Sequence, residues 1–183
     1  MLARRAEVPA ETRHAFAERL AVLGPSLVRD EAHPFADPIV SLYWPIKDEA
    51  DPSRLAEVLN KVGIDTALPI TIARAQPLLF RRWTPGDAVV PGSWGIAHPS
   101  TDAPVVEPDV LFVPVAAFDR RGSRLGYGAG YYDATLASLR RRKSVRAIGV
   151  AFSCQEVLFL PTEPHDEPLD FIMTERDTIL CGE

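Results

Sequence analysis

The sequence contains little cysteine: two residues, Cys154 and Cys181, among 183. They form neither a CxxC pair nor the spacing of a zinc-ligand set. Small secreted domains held together by disulfides use cysteine far more densely, so that class of protein is excluded. We therefore expect two reduced thiols in a cytoplasmic protein.

Long apolar runs are missing as well. No stretch reaches the roughly 20 apolar residues of a membrane-spanning helix, and no apolar signal segment follows the N-terminus. The formal net charge is −5, which disfavours nucleic acid as a partner. The run RRRK at residues 140–143 is a local exception, which the solvated basic end of a helix explains more simply. We expect neither a membrane nor a nucleic acid as a partner.

Size and composition are those of one ordinary globular domain. A length of 183 residues fits a single domain over residues 1–183. A chain this long buries roughly two thirds of its unfolded surface, so it needs neither a disulfide nor a structural metal to fold. We expect a monomer.

Strand and helix patterns alternate along the chain. Apolar periodicity with Pro and Gly at the ends predicts helices at residues 9–24, 51–63 and 130–142. Apolar and β-branched runs predict strands at residues 39–44, 66–70, 78–83, 110–115, 146–152 and 169–175. Between them, the Pro- and Gly-rich residues 84–108 predict a long ordered loop, with short strands as an open alternative. The alternation predicts an α/β fold with three layers: a mostly parallel central sheet with helices on both faces.

Ligands in such sheets bind beyond the carboxyl ends of the strands. Three polar segments are expected there: KDE at 47–49, the loop that follows 110–115, and SCQE at 153–156. The segment PHDEPLD at 164–170 joins them only if the chain returns to this edge.

The most informative stretch is GSRLGYGAGYYD, residues 122–133. Its alternate glycines let backbone N–H groups turn towards an anion without a Cβ in the way, and a predicted helix N-terminus follows. Arg124 offers a planar pair of donors to phosphate oxygens, and Asp133 is an oxygen ligand of the kind that Mg²⁺ uses beside nucleotide phosphates. Together they suggest a nucleotide–metal site. The structural alternative is a tight surface turn whose tyrosines pack into the core.

Familiar nucleotide-binding templates do not fit this loop. A Walker loop requires GKS or GKT, which the sequence lacks. The dinucleotide fingerprint requires glycine at the position of Tyr131, and basic residues stand at 143–146 instead of the expected acidic one. Neither a P-loop NTPase nor an NAD enzyme is predicted.

Five segments resemble, in order, the 5-formyltetrahydrofolate cyclo-ligase family, also called methenyltetrahydrofolate synthetases. They are YWPIKDEADPSRL (43–55), GSWGI (92–96), FDRRGSRLGYGAGYYD (118–133), AIGVAFSCQEV (147–157) and LPTEPHDEPLDFIMTE (160–175). The resemblance covers nearly the whole chain. It implies a scaffold like that of sugar-phosphate isomerases and CoA-transferases. It also implies an enzyme that uses Mg²⁺ and ATP to close 5-formyltetrahydrofolate into 5,10-methenyltetrahydrofolate, with release of ADP and phosphate.

The resemblance also implies the site residues. Those that match the ATP-binding positions are Arg124, Leu125, Gly126, Tyr127, Gly128, Ala129, Gly130, Tyr131 and Tyr132. Those that match the folate-binding positions are Trp44, Glu49, Tyr127, Gly128, Ala129, Gly130 and Tyr131. Asp133 and Asp166 match magnesium positions. No further catalytic residue is assigned.

Several of these residues also suit purely structural roles. Glu49 is placed to cap the helix that starts near residue 52. Trp44 suits the core at a strand end, and Asp166 suits a turn beside a proline. Trp94 suits packing, with the lining of the site as an open alternative, whereas His165 receives no role.

The chain departs from the family pattern at its start. Relatives usually open with a helical KxxLR-type segment whose basic residues contact ATP phosphates, whereas this chain opens MLARRAEVPAETR. Arg4 and Arg5 are not obvious substitutes, and we expect weaker nucleotide binding if nothing precedes them. Ala129 stands where relatives often have glycine or lysine, and alanine is tolerated there if its φ is negative.

Two alternatives to the cyclo-ligase remain open from the sequence. One is a non-catalytic relative that binds folate or nucleotide without turnover. The other is a sugar-phosphate isomerase or acyl-CoA transferase on a similar scaffold, which neither requires nor consumes ATP.

Overall fold

The structure is a computed structural model that describes residues 1–29, 35–92 and 95–182. Its helices are α1 (Leu2–Ala6), α2 (Ala10–Val28), α3 (Ser53–Lys61) and α4 (Tyr131–Arg140). Its strands are β1 (Ile39–Ser41), β2 (Asp65–Ile70), β3 (Leu79–Arg82), β4 (Val89–Pro91), β5 (Ala97–Pro99), β6 (Val105–Val106), β7 (Val110–Pro114), β8 (Ala117–Phe118), β9 (Arg124–Leu125), β10 (Arg146–Val150), β11 (Phe171–Met173) and β12 (Thr178–Leu180).

A central sheet organises the chain, with the strand order β12-β11-β10-β7-β1-β2-β3-β6. The inner pairs β11–β10, β10–β7, β7–β1 and β1–β2 are parallel, and the outer strands pair antiparallel. The apolar runs that form β7 and β10 are buried throughout or nearly so, as expected for strands covered on both faces. The predicted mostly parallel α/β sheet is confirmed.

Helices cover both faces of this sheet. On one face, Phe16 and Leu20 of α2 and Leu55 of α3 share a buried cluster with β1, β7 and β10. On the other face, Leu136 and Leu139 of α4 pack in a second cluster with the alternate residues of β7. Strand side chains alternate between the faces, so one strand supplies both clusters. The predicted three layers are therefore confirmed.

The prediction that a helix ends at Gly24 is wrong. Helix α2 continues through Gly24 and Pro25 to Val28. A Cβ at Gly24 would lie 2.7 Å from a methyl carbon of Leu55, so this glycine allows α2 and α3 to approach closely rather than ending the helix.

Several short strands were not predicted individually. Within residues 84–108 the chain forms β4, β5 and β6, in agreement with the alternative of short strands in this segment. The β8–β9 hairpin precedes the glycine loop, and β12 adds an antiparallel edge to the sheet. Among the described residues, no helix is both long and apolar enough to cross a membrane.

Candidate active site

The glycine-rich segment between β9 and α4 is an exposed loop. A Cβ at Gly126, Gly128 or Gly130 would meet no non-neighbouring heavy atom within 4 Å. Gly128 and Gly130 have φ of +83° and +68°, a region that favours glycine. In the part of the chain that the structure describes, no N–H of residues 126–133 donates a hydrogen bond to the protein. These free donors adjoin the positive N-terminal end of α4, a combination suited to binding an anion.

The tyrosines of this loop have different surroundings. Tyr131 and Tyr132 are half-buried and pack against the cluster that contains Leu136. Burial raises the pKa of Tyr132 well above its ordinary value. Tyr127 is instead 48% exposed. The structural alternative of core-packed tyrosines therefore describes Tyr131 and Tyr132 but not Tyr127.

Glu49 lies in the turn that follows β1, at the carboxyl edge of the sheet. Its Oε2 accepts a hydrogen bond from the Ile46 N–H at 2.9 Å, and its Oε1 accepts one from the Tyr127 hydroxyl at 3.1 Å. Burial raises the pKa of the Glu49 carboxyl, while the Ile46 N–H and the nearby Arg5 oppose this shift. At the start of α3 it is Asp51 that accepts from the Ser53 N–H. Glu49 is therefore not the cap of α3.

Trp44 is a packing residue in this structure. Its ring meets that of Trp83 edge to face, with centroids 6.3 Å apart, and it packs against the cluster that contains Phe16. This contact leaves Trp44 half-buried, four residues after Val40 of β1. Trp94 lies outside the described residues.

Arg124 and Asp133 form an ion pair at the two ends of the loop. The Arg124 Nη2 lies 2.6 Å from Asp133 Oδ1, and Arg124 Nη1 donates to the Glu167 carbonyl. The Arg124 side chain is 6% exposed, and burial lowers its pKa despite the neighbouring carboxylate. The residues that the sequence assigned to phosphate and to magnesium thus neutralise each other in this structure.

Asp166 lies on an exposed turn beside the first turn of α4. Its Oδ2 accepts from the Glu163 N–H at 2.8 Å, and the Glu167 N–H donates to Asp133 Oδ1 at 3.2 Å. The segment therefore lies next to Asp133, although Asp166 also closes its own turn. Within residues 1–29, 35–92 and 95–182, no three His, Cys, Asp or Glu side chains gather as a metal-binding group.

Sequence reasoning missed two arginines near the site. Arg5 is buried, and its Nη2 donates to the Tyr127 hydroxyl at 2.7 Å. Arg13 donates to the carbonyls of Arg5 at 2.5 Å, Val8 at 3.0 Å and Asp48 at 2.7 Å, so it ties the N-terminal segment to the turn of Glu49. No local pattern marks these residues, because Arg5 and Tyr127 are 122 positions apart in sequence.

The departure at Ala129 is accommodated. Among the described residues, the non-glycine positions with positive φ are Lys47 and Ala75. Ala129 is therefore outside that region, and its carbonyl accepts from the Ala75 N–H at 3.1 Å. Alanine introduces no backbone strain here.

The chain matches the model of the 5-formyltetrahydrofolate cyclo-ligase family over residues 1–175. It is 36% identical to the 5-formyltetrahydrofolate cyclo-ligase of Haemophilus influenzae over 135 residues, which cover 71% of this chain and 72% of that protein. It is also 36% identical to the enzyme of that name from Escherichia coli K12 over 140 residues, 74% of this chain and 76% of the relative.

Solved structures agree with these matches. The NMR structure of 5,10-methenyltetrahydrofolate synthetase from Aquifex aeolicus superposes with a TM-score of 0.78 at 30% identity, covering 100% of this chain and 89% of that one. A synthetase of the same name from Mycoplasma pneumoniae shares the fold, with a TM-score of 0.72 at 23% identity and coverage of 95% and 93%. By its sequence and its fold, the chain belongs to the 5-formyltetrahydrofolate cyclo-ligase family of enzymes.

Proposed function

We propose that this protein converts 5-formyltetrahydrofolate to 5,10-methenyltetrahydrofolate at the expense of ATP, with Mg²⁺, and releases ADP and phosphate. Family membership supports the cyclo-ligase activity. The observation that supports one site for both ATP and the folate is the hydrogen bond from the Tyr127 hydroxyl to Glu49 at 3.1 Å. It joins the loop assigned to the nucleotide to the carboxylate assigned to the folate, although the two residues are 78 positions apart.

The phosphate side of the proposed site is the segment from Arg124 to Tyr132. The unbonded N–H groups of residues 126–133 supply donors for phosphate oxygens, and the N-terminus of α4 adds a favourable electrostatic potential. The space beside the backbone is open at Gly126, Gly128 and Gly130, so a ligand can approach it.

The folate side combines Glu49, Trp44 and the loop from Tyr127 to Tyr131. An ionised Glu49 accepts hydrogen bonds from the amino and ring N–H groups of a pterin. Trp44 offers an indole for a flat ring to contact. A few polar groups placed in an apolar cleft are typical of small-molecule sites.

Asp133 and Asp166 are the proposed magnesium ligands. Each keeps one carboxylate oxygen, Oδ2 of Asp133 and Oδ1 of Asp166, without a protein hydrogen bond among the described residues. One or two carboxylates completed by nucleotide phosphates form a usual Mg²⁺ site, so the residues fit the ion. When bound, Mg²⁺ neutralises charge on the phosphate oxygens.

The chemistry needs placement more than covalent participation by the protein. The formyl oxygen attacks the γ-phosphorus of ATP, and the bond to the bridging oxygen breaks as ADP leaves. The neighbouring folate nitrogen then attacks the formyl carbon, loses its proton and expels phosphate, which closes the ring. Phosphorylation converts a poor leaving oxygen into a good one. The loop and Glu49 hold the two reactants in contact during both steps.

The test mixes the 183-residue protein with 5-formyltetrahydrofolate, ATP and Mg²⁺ and follows the absorbance of methenyltetrahydrofolate. We expect product and ADP in equal amounts, and none without ATP. Binding of the reduced folate without ADP release would instead indicate the non-catalytic relative. Product formation that does not consume ATP would contradict the proposal.

We further propose a monomer that resides in the cytoplasm. The two cysteines, Cys154 and Cys181, are free thiols, in agreement with the reduced state predicted from the sequence. Sedimentation equilibrium tests the oligomeric state directly.

A further inference from the structure

The guanidinium group of Arg5 is buried without a full set of hydrogen-bond partners. The side chain is 2% exposed, and its Nη2 donates to the Tyr127 hydroxyl at 2.7 Å. Its Nε and Nη1 are buried and have no acceptor among the described residues. Buried donors without partners are unfavourable and rare in native proteins. Two donors of Arg5 are therefore available to acceptors on a ligand.

The nearest carboxylate does not meet this need. Glu49 Oε1 lies 3.9 Å from Arg5 Nη1, beyond hydrogen-bond distance, and already accepts from Tyr127. The positive charge of Arg5 is thus balanced only in part.

The position of Arg5 is fixed by its surroundings. Arg13 binds the carbonyls of Arg5 and Val8 and also that of Asp48, in the turn of Glu49. Arg13 therefore has an acceptor for each of its nitrogens, in contrast to Arg5. The arrangement keeps Arg5 beside Glu49 through a set of backbone contacts.

The Tyr127 side chain lies over the Arg5 guanidinium group, and a ligand can displace it. It is 48% exposed and lies between Gly126 and Gly128 on the exposed loop. Its hydroxyl bonds to Arg5 and Glu49. A ligand that enters between the loop and Glu49 needs to displace these two hydrogen bonds to reach Arg5.

We propose that Arg5 binds the phosphoryl group while it is transferred. The phosphoryl oxygens then replace the Tyr127 hydroxyl as hydrogen-bond acceptors of Arg5. The inference rests on the proposed function, since Arg5 lies where the nucleotide loop meets the folate carboxylate. Once Tyr127 is displaced, Nη1 and Nη2 present two parallel donors, which match two oxygens of a phosphoryl group. The phosphorus–oxygen bond to ADP breaks and the bond to the formyl oxygen forms. Arg5 stabilises the charge and transfers no proton.

The experiment compares Arg5→Gln, Arg5→Lys and Arg4→Gln. Arg4 is the matched control, because it is exposed on the same helix. We expect Arg5→Gln to lower kcat about 100-fold, as for the loss of one preorganised charge-stabilising donor. Arg5→Lys keeps the charge without the planar fork, so we expect a loss of about 10-fold. Arg4→Gln should stay within about two-fold of wild type.

Two further measurements separate binding from a structural role. Arg5→Gln should melt within about 3 °C of wild type, because it gives up one hydrogen bond but relieves two unpaired donors. Calorimetry with Mg²⁺ and adenylyl imidodiphosphate should show affinity at least about 10-fold weaker for Arg5→Gln than for Arg4→Gln. This binding measurement does not require turnover.

The outcomes distinguish the two proposals. If wild type makes no ATP-dependent product, the proposed function fails, while the calorimetric comparison still decides the role of Arg5. If wild type is active, and both Arg5 variants retain its kcat and its affinity for the analogue, the inference is overturned. It is also overturned if both variants lose activity only as far as they lose folded protein.

Discussion

Two arginines with buried side chains contact the same glycine loop, and they differ in their hydrogen-bond partners. Arg124, at the start of the loop, binds Asp133 at 2.6 Å and also the Glu167 carbonyl. Arg5 meets the loop at Tyr127, and its Nε and Nη1 have no acceptor in the part of the chain that the structure describes. Removing a buried cation that is paired with a carboxylate destabilises the fold, whereas a buried cation with unused donors is suited to a ligand.

In the structure, the two arginines differ from what the sequence motif predicts. The motif points to Arg124 as the phosphate-binding cation, and from the sequence Arg5 is not an obvious substitute for the basic residues of the family's N-terminal segment. In the structure, the donors of Arg124 that the motif assigns to phosphate already bind Asp133 and Glu167. We therefore expect Arg124 to orient a metal-binding carboxylate and Arg5 to meet the phosphoryl group.

The largest effect on stability is expected from Arg124→Gln. The change leaves Asp133 without its cation, and breaking a largely buried ion pair costs about 3 kcal/mol. For a domain of this size, we expect a fall in melting temperature of about 6–12 °C, measured by calorimetry. Arg54→Gln is the control, because Arg54 is exposed and its ion pairs with Glu18 and Glu57 lie at the surface.

The comparison between the two arginines fails if Arg5→Gln lowers the melting temperature as much as Arg124→Gln does. It also fails if Arg124→Gln melts like the Arg54→Gln control, since Arg124 would then contribute nothing to the fold.

The next largest effect concerns Asp133→Asn. Asparagine keeps an oxygen that can accept from Arg124 and the Glu167 N–H, but it lacks the second carboxylate oxygen proposed to bind Mg²⁺. We expect kcat/KM for Mg·ATP to fall about 100-fold, which corresponds to about 2.7 kcal/mol. The melting temperature should change by only a few degrees. Asp37→Asn, at an exposed position just before β1, should leave both quantities unchanged.

A structural role for Asp133 would give a different pattern. In that case Asp133→Asn would reduce thermal stability and activity together, and added Mg²⁺ would not restore any of the lost rate.

The smallest effect, about 10-fold in kcat/KM for folate, is expected from Glu49→Gln near neutral pH. Burial raises the pKa of Glu49, so kcat/KM should rise with pH through a value above the ordinary 4.5. The glutamine variant should lack this fall in kcat/KM at acidic pH, called the acidic limb of the pH profile. Arg5 opposes the shift, so Arg5→Gln should move the limb to still higher pH, and Arg4→Gln should not.

The same pKa predicts a sign for stability. A carboxyl whose pKa is raised in the folded state favours the folded protein at low pH, and this contribution is lost as pH rises through the folded-state pKa. Wild type should therefore lose stability relative to Glu49→Gln over that range. A pH-independent difference in melting temperature would contradict the burial of an ionisable Glu49.

The sequence predicts the fold well where the signal is local. Continuous apolar runs identify β7 and β10, and spaced leucines identify α3 and α4. The strands β8, β9 and β12 were not predicted, because strands of two or three residues show no clear periodicity, whereas β11 lies within the strand predicted at residues 169–175. Gly24 was misinterpreted because its close contact with Leu55 is made across two helices.

The site divides in the same way. The glycine loop and Glu49 follow from motifs, each of which lies within a short segment. The partners of Arg5 do not, since Tyr127 and Glu49 are distant in sequence and meet only when β1, α1 and the loop come together. Which arginine lacks acceptors is decided by tertiary packing, so it cannot be predicted from a linear pattern.

The most direct test is a crystal structure of the protein with Mg²⁺, adenylyl imidodiphosphate and 5-formyltetrahydrofolate. We predict that Arg5 Nη1 and Nη2 lie about 2.7–2.9 Å from oxygens of the terminal phosphoryl group, with the Tyr127 hydroxyl displaced and Arg124 still bound to Asp133. The account is contradicted if Arg5 keeps its bond to Tyr127 while Arg124 leaves Asp133 to bind the phosphates.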